Sequence, residues 1–267
     1  MQTKKTVSLV IIDTDSYELA KRAIEKSIVN FSVDEVIIFS DNQDIWGKYK
    51  CNKVGKIRSS ADYNEILLMQ LPHYLKTDFA LVIQYDGFII NPSSFSDFFF
   101  KFDYIGAPWP AGTIGSNGAM VGNGGFSLRS KRLVNAIFKY RAAIDINISE
   151  DMMISRLIRP MLEEMENISF APVEVARYFS VEFERNQYER PFGFHGLHLL
   201  PIVYKDDINF LLDNLPERCL IEGSYQLNNL RTGFSHLSND SKILLEKKIN
   251  TQVLYGPQAL VNAVTDS

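Results

Sequence analysis

The stretch from Phe79 to Asn91, FALVIQYDGFIIN, constrains the fold more than any other. Phe79 to Ile83 is a continuous apolar run rich in strand-favouring residues. Such a run suits a strand buried on both faces, as in a parallel sheet covered by helices. The character changes abruptly at Gln84-Tyr85-Asp86-Gly87. A carboxylate just beyond a buried strand stands where open α/β sheets place their ligands. The glycine after it allows a tight turn or a close backbone approach.

A similar pattern opens the chain. Val7 to Ile12 reads as a strand ending at Asp13-Thr14-Asp15-Ser16, residue types that cap helices. Leu19, Ala23, Ile24 and Ile28 give the apolar face of a helix over 17–29. A second strand lies within 33–40 and ends at Ser40-Asp41-Asn42, so the start reads as a βαβ unit. Lys56-Ile57-Arg58 suggests a short third strand. Residues 62–75 suggest a helix that kinks or stops at Pro72.

Beyond the organising strand, 95–102 reads as a helical turn or two. Asp103 to Trp109 reads as a strand entering a proline-punctuated loop. Residues 111–125 hold six glycines and predict a flexible or tightly turned loop. Helices are expected over 131–143 and from Ser149 to about Ile158, before Pro160. Extended segments are expected at 168–170 and 176–182, and a turn-rich loop at 191–196. The expected division is an α/β domain over 1–200 and a mainly helical extension over 201–267, packed on the same domain.

Composition narrows the function classes. A net charge of −4 argues against a broad basic surface for nucleic acid. The two cysteines, Cys51 and Cys219, are too few for a disulfide scaffold and lack metal-ligand spacing. No run approaches the roughly 20 apolar residues that span a bilayer. The reading is a soluble, cytoplasmic protein, with Phe98-Phe99-Phe100 leaving peripheral membrane attachment open.

Four groups of residues carry chemistry, each with a plain structural reading beside it. Asp86 suits a divalent cation that neutralises a diphosphate, or it caps a turn. The stretch Gly122-Asn123-Gly124-Gly125-Phe126-Ser127-Leu128-Arg129 offers backbone amides and a cation to a phosphate, or it is a surface loop. Ser149-Glu150-Asp151 offers a general base, or a helix cap. His195, in Gly193-Phe194-His195-Gly196, offers a metal-ligating imidazole, or it is structural.

Taken in order, these residues resemble the GT-A class of nucleotide-sugar glycosyltransferases. They are most similar to a bacterial glycosyltransferase-like domain family of unknown function. The carrying residues are Gln84-Tyr85-Asp86, Asp103-Tyr104-Ile105-Gly106-Ala107-Pro108-Trp109, the 122–129 stretch, Glu150-Asp151 and Gly193-Phe194-His195. The resemblance covers about residues 5–200. It implies a GT-A-like, mostly parallel central sheet flanked by helices. It also implies sugar transfer from a nucleotide-diphosphate donor, a UDP-sugar first, to a glycan or lipid-linked hydroxyl in cell-surface polysaccharide synthesis.

By that resemblance Asp86 and His195 hold Mn2+ or Mg2+, with Gln84 standing where such enzymes carry a further carboxylate. Asp151 is the base of an inverting reaction, with Glu150 as second candidate. Asp13, Thr14 and Asp41 lie near the nucleoside, and Arg58 and Asn64 line the same pocket. Trp109, Asn123, Gly124, Gly125 and Arg129 shape the sugar and acceptor side. Two other readings stand beside it: a nucleotidyltransferase, and a catalytically silent nucleotide- or carbohydrate-binding module.

Overall fold

Strand β1 (Val7–Ile12) is buried along its whole length and paired on both edges. The computed structural model describes residues 4–110, 112, 120–183 and 190–255, with side chains as far as 251. After β1, helix α1 (Tyr17–Ile28) leads into β2 (Glu35–Ser40), which pairs parallel to β1 with Val10 opposite Ile37. Strand β3 (Cys51–Lys53) adds to β2, again parallel. Helices α2 (Ser60–Asn64) and α3 (Leu71–Tyr74) then lead to β4 (Phe79–Ile83), parallel to the other edge of β1 with Val10 opposite Val82.

One strand of the sheet runs against the rest. The chain passes through β5 (Tyr104–Gly106), β6 (Pro108–Trp109) and β7 (Met120–Val121) to β8 (Ser127–Ser130). Strand β8 is antiparallel to both β4 and β5, giving the order β3-β2-β1-β4-β8-β5. The sheet is therefore mixed and mostly parallel, as the buried apolar runs require. Val10, Ile12, Ile37, Phe39 and Val82 pack against Ile66, Leu67 and Leu71 of the α2–α3 segment and Val134 of α4 (Lys131–Lys139). The chain continues through α5 (Glu150–Met152), α6 (Arg159–Glu166), α7 (Val173–Phe179), β9 (Ser180–Val181) and β10 (Gly193–Phe194).

Several local expectations give way. The third strand is Cys51–Lys53 rather than 56–58, because Asn52 and Lys53 find partners on Phe39 and Ser40. The helix expected over 62–75 passes Pro72 without stopping. Glu65–Gln70 widens to π geometry, and Pro72 falls in the first turn of α3, where its missing N–H costs nothing. Pro160 likewise starts α6 after a π turn over Met153–Leu157. Most of 176–182 is helical, since α7 runs to Phe179 and only Ser180–Val181 pairs as strand. In the short 3-10 turn Asp97–Lys101, Phe99 points inward while Phe98 stays 45% exposed beneath the Lys101 ammonium.

The chain divides into two compact units, Met1–His195 and Gly196–Ser267. The second contains α8 (Leu200–Val203), α9 (Ile208–Asn214), α10 (Tyr225–Phe234) and α11 (Asn239–Tyr255). Ser224 caps α10, and Arg231 bridges Glu222 and Glu246 at 2.7 and 3.0 Å. Among the described residues no helix is long and apolar enough to cross a membrane.

Candidate functional site

The carboxyl ends of β1 and β2 carry one group of polar residues. Asp13 is buried, and its Oδ1 accepts from the backbone N–H groups of Asp15 and Ser16 at 2.9 and 2.7 Å. That bond fixes the entry to α1 as an Asx turn does. Thr14 Oγ1 accepts from Ile57 N–H at 3.0 Å, and the Lys56 ammonium donates to the Thr14 carbonyl. Asp41 Oδ1 accepts from the Tyr17 hydroxyl at 2.7 Å. Burial, then the Asp41 bond and charge, push the Tyr17 phenol up to about 12. The Tyr17 ring lies edge-on to buried Trp46, with Lys56 5.7 Å from its centroid. Neither Tyr17 nor Lys56 belongs to a motif, so sequence reasoning misses both.

The carboxyl end of β4 carries the second group. Gln84 and Gly87 exchange backbone hydrogen bonds at 2.8 and 3.0 Å, so 84–87 is a closed turn. Gln84 Nε2 donates to the Tyr63 hydroxyl at 2.9 Å, which turns Gln84 Oε1 toward His195 Nε2 at 3.1 Å. Asp86 Oδ1 is 3.9 Å from the same nitrogen. On the other side of the ring, His195 Nδ1 lies 3.2 Å from Glu182 Oε1 and 2.9 Å from Asn123 Nδ2. Burial pulls the His195 pKa down, but the Glu182 bond and the charges of Asp86, Glu182 and Asp151 raise it to about 9.

The glycine-rich stretch is packed rather than open. A Cβ on Gly122 would fall 2.3 Å from the Trp109 ring, one on Gly124 1.7 Å from Glu150 Oε1, and one on Gly125 2.1 Å from His195 Nε2. These glycines admit large side chains against the backbone, which corrects the expectation of a free amide cradle. The Tyr104 hydroxyl donates to the carbonyls of Gly122 and Asn123 at 2.7 and 3.0 Å. Asp103 accepts from Ser130 Oγ, Ser169 N–H and Arg132, tying β5 to the end of β8. The 103–109 motif thus holds the 122–129 motif in place. Gly115 and Gly118 of the same loop lie outside the described residues.

Two expectations for the substrate side are corrected by burial. Arg129 is 1% exposed, and its Nη2 donates to Glu150 Oε1 at 2.8 Å and to the Gly124 carbonyl at 3.2 Å. Its donors are committed inside the protein instead of facing a phosphate. Trp109 is buried against Gly122, so its ring presents no open face to a sugar. Asn64 is buried, and its Nδ2 donates to the Ile146 and Ile148 carbonyls at 2.7 and 2.8 Å. It anchors the loop before Ser149. Arg58 is exposed, and its backbone N–H joins the Asp62 cap of α2.

The adjacent carboxylates differ in kind. Glu150 is buried and ion-paired with Arg129, a pair that holds α5 against the Gly124 backbone. Asp151 is only partly buried. Burial, then the neighbouring Glu150 charge, raise its pKa to about 6. A carboxyl poised there is ionised near neutral pH yet basic enough to take a proton. Of the two, Glu150 is the one tied into an ion pair with Arg129.

Asp86, Gln84 Oε1 and His195 Nε2 offer one carboxylate, one amide oxygen and one imidazole. Their separations of 3.1 and 3.9 Å are of the order that two ligands of one small cation keep, with bonds of about 2.0–2.2 Å. Among the described residues no group of three His, Cys, Asp or Glu could hold a metal by itself. Gln84 Oε1 and the protonated His195 Nε2 are hydrogen-bonded to each other, so a cation held here with Asp86 would displace that proton and take its remaining ligands from water and substrate phosphates.

Solved structures to which the chain is similar include mannosyltransferase PcManGT from Pyrobaculum calidifontis in complex with GDP-Man and Mn2+. That pair shows 8% identity and a TM-score of 0.44 over 98% of this chain and 84% of that one. Glucosyl-3-phosphoglycerate synthase from Mycobacterium tuberculosis, in complex with Mn2+, UDP and phosphoglyceric acid, shows 12% identity and a TM-score of 0.41 over 64% and 68%. Bifunctional IspDF from Campylobacter jejuni shows 11% identity and a TM-score of 0.39 over 58% and 47%, so the chain spans about half of that protein's length. None of the curated proteins matches the chain. Gln84, Asp86, Asn123, Glu150, Asp151, Glu182 and His195 all fall within residues 48–195, which match the family described as "Protein of unknown function (DUF5672)". The match takes in more than half of the chain, and the chain belongs to that family.

Proposed function

We propose that the protein transfers a sugar from a nucleotide-diphosphate donor, first among them a UDP-sugar, to a hydroxyl acceptor. The observation that supports this reading is the gathering of Gln84, Asp86 and His195 at the end of β4, with Asp151 near enough for its charge to bear on His195. The Asp86–His195 pair lies beyond β4, and Asp13, Thr14 and Asp41 lie beyond β1 and β2, at the carboxyl ends where α/β sheets take nucleotides. The motif resemblance over 5–200 points the same way, with residues 201–267 as a helical extension.

In this reading the nucleoside lies over the ends of β1 and β2, where Asp13, Thr14 and Asp41 offer acceptors and Lys56 a cation. Asp86 and His195, with the Gln84 amide oxygen, would hold Mn2+ or Mg2+, which when bound neutralises charge on the leaving diphosphate. Asp151 takes the proton of the acceptor hydroxyl at a carboxylate oxygen, and the hydroxyl oxygen attacks the anomeric carbon from the face opposite the nucleotide. Glu150 and Arg129 keep α5, and with it Asp151, in place. The acceptor class is a glycan or lipid-linked hydroxyl in surface-polysaccharide synthesis.

Thermal unfolding with a panel of nucleotides and nucleotide sugars, each with Mn2+ and with EDTA, tests the donor side. A ligand at 100 times its Kd adds about 2.7 kcal/mol of apparent stability. A shift with UDP or a UDP-sugar that EDTA removes is expected. No shift with any nucleotide overturns the reading, and binding without release of nucleotide diphosphate reduces the protein to a binding module.

A further inference from the structure

We infer that Glu182, steered by Asn123, is the positioning carboxylate of His195. It sets the imidazole so that Nε2 faces Gln84 and Asp86. This rests on the reading that Asp86 and His195 hold a divalent cation.

The pairing of two short strands brings the residues together. Strands β9 and β10 run parallel, with Ser180 opposite Gly193 and Val181 opposite Phe194. The next residue on each strand is Glu182 and His195, and His195 N–H donates to the Val181 carbonyl at 3.0 Å. A ribbon of this size adds little stability by itself, but it lays these two side chains next to each other. Glu182 Oε1 then reaches His195 Nδ1 at 3.2 Å.

Asn123 fixes the carboxylate from the other side. Its Oδ1 accepts from the N–H groups of Gly125 and Phe126 at 3.0 and 3.4 Å, which settles which way the amide points. Its Nδ2 thereby donates to Glu182 Oε2, 2.5 Å away, and lies beside His195 Nδ1 without bonding it, since Nδ1–H donates to Glu182. The ring is also confined by backbone. A Cβ on Gly87 would lie 2.8 Å from His195 Cδ2, and one on Gly125 2.3 Å from the same atom. With Nδ1 held by Glu182 and glycine backbone packed close to the ring at Gly87 and Gly125, Nε2 faces Gln84 and Asp86. An imidazole that binds a metal through one nitrogen commonly has its other nitrogen held by a carboxylate, which fixes the ring and raises its basicity. The arrangement also assigns Asn123 a task that its motif did not reveal.

The test uses the full chain with MnCl2 as the probe. Manganese affinity is measured by electron paramagnetic resonance in the presence of UDP, for wild type, Glu182→Gln and Glu182→Ala. Glu182→Ala is expected to weaken Mn2+ binding about 10–100-fold. Glu182→Gln, which keeps a carbonyl acceptor, should fall between. UDP binding in EDTA should stay at the wild-type value. A second measurement needs no metal. Histidine-selective 15N labelling, with His195→Gln to assign the signal, reads the ring nitrogens of His195 directly. Glu182→Gln should change the Nδ1 signal while the signals of the other three histidines keep their positions. An unchanged Nδ1 signal in a folded variant, or unchanged Mn2+ affinity in Glu182→Ala, overturns the inference. If wild type binds no Mn2+ at all, the cation reading fails, and the nitrogen spectrum alone decides whether Glu182 positions the ring.

Discussion

Asp13, Thr14 and Asp41 hang from the ends of two neighbouring strands, whereas Gln84, Asn123, Glu182 and His195 come together from four separate stretches. In the first group Asp13 bonds to backbone two and three residues on, and the Tyr17–Asp41 and Ile57–Thr14 bonds span 24 and 43 residues, so the reach is shorter than in the second. In the second, the bonds from His195 span 13 and 111 residues, and Asn123 reaches Glu182 across 59. A region of shorter reach gives way more locally when a residue is lost. A region built from distant stretches couples its members, because a residue removed from it leaves buried charge without its partner. The chemistry side should therefore be the more sensitive of the two.

The sharpest way to break this comparison is Asp151→Asn. It should lower transfer by about 10²–10⁴-fold while donor binding is kept. Normal turnover in that variant removes Asp151 as the base. In wild type, the rate should rise with pH through about 6 as Asp151 ionises. Stability should move the opposite way. Its folded pKa lies above the ordinary value of 3.8, so the stability that the protonated carboxyl contributes is present below about 3.8 and lost as pH rises through about 6. Asp151→Asn should abolish both trends, as rate profiles and urea midpoints against pH would show.

Next comes Glu150→Ala. It leaves Arg129 buried without its partner and should cost about 3–5 kcal/mol in urea unfolding. A cost near zero would mean that the pair is dispensable to the chemistry side. Asn64→Ala removes the donor to the Ile146 and Ile148 carbonyls and should cost about 1–3 kcal/mol. It should also slow transfer without changing donor binding, because that loop leads to Asp151. The smallest effect belongs to the strand-end group. Tyr17→Phe loses one hydrogen bond to Asp41, about 0.5–1.5 kcal/mol. A loss larger than that of Glu150→Ala would reverse the comparison.

The legible part of the site is the set of residues at the strand ends. Asp13, Asp41 and Asp86 come directly after apolar runs that have to be buried strands, so the pattern places them at the sheet's carboxyl edge. Glu182 gives no such signal. It comes after a helix that the sequence reads as extended, and only the pairing of β9 with β10 brings it to His195. Arg129 and Trp109 are misplaced by sequence reasoning for a related reason. Their residue types suit phosphate and sugar, and nothing in their own stretch says that Glu150 and Gly122 enclose them.

The sequence by itself determined the parallel core of the sheet, since hydrophobic runs without a polar face have to be covered on both sides. It also determined that acidic residues would stand at the ends of those strands, because covalent order puts each of them next to its strand whatever the rest of the fold does. Tertiary structure alone decided which polar residue meets which. Glu150 turned to Arg129 and Asp151 was left as a poised carboxyl, although the two are adjacent and of similar type. Residue type sets what a side chain can do in water. Burial and the charges that folding gathers around it set what it does in the protein.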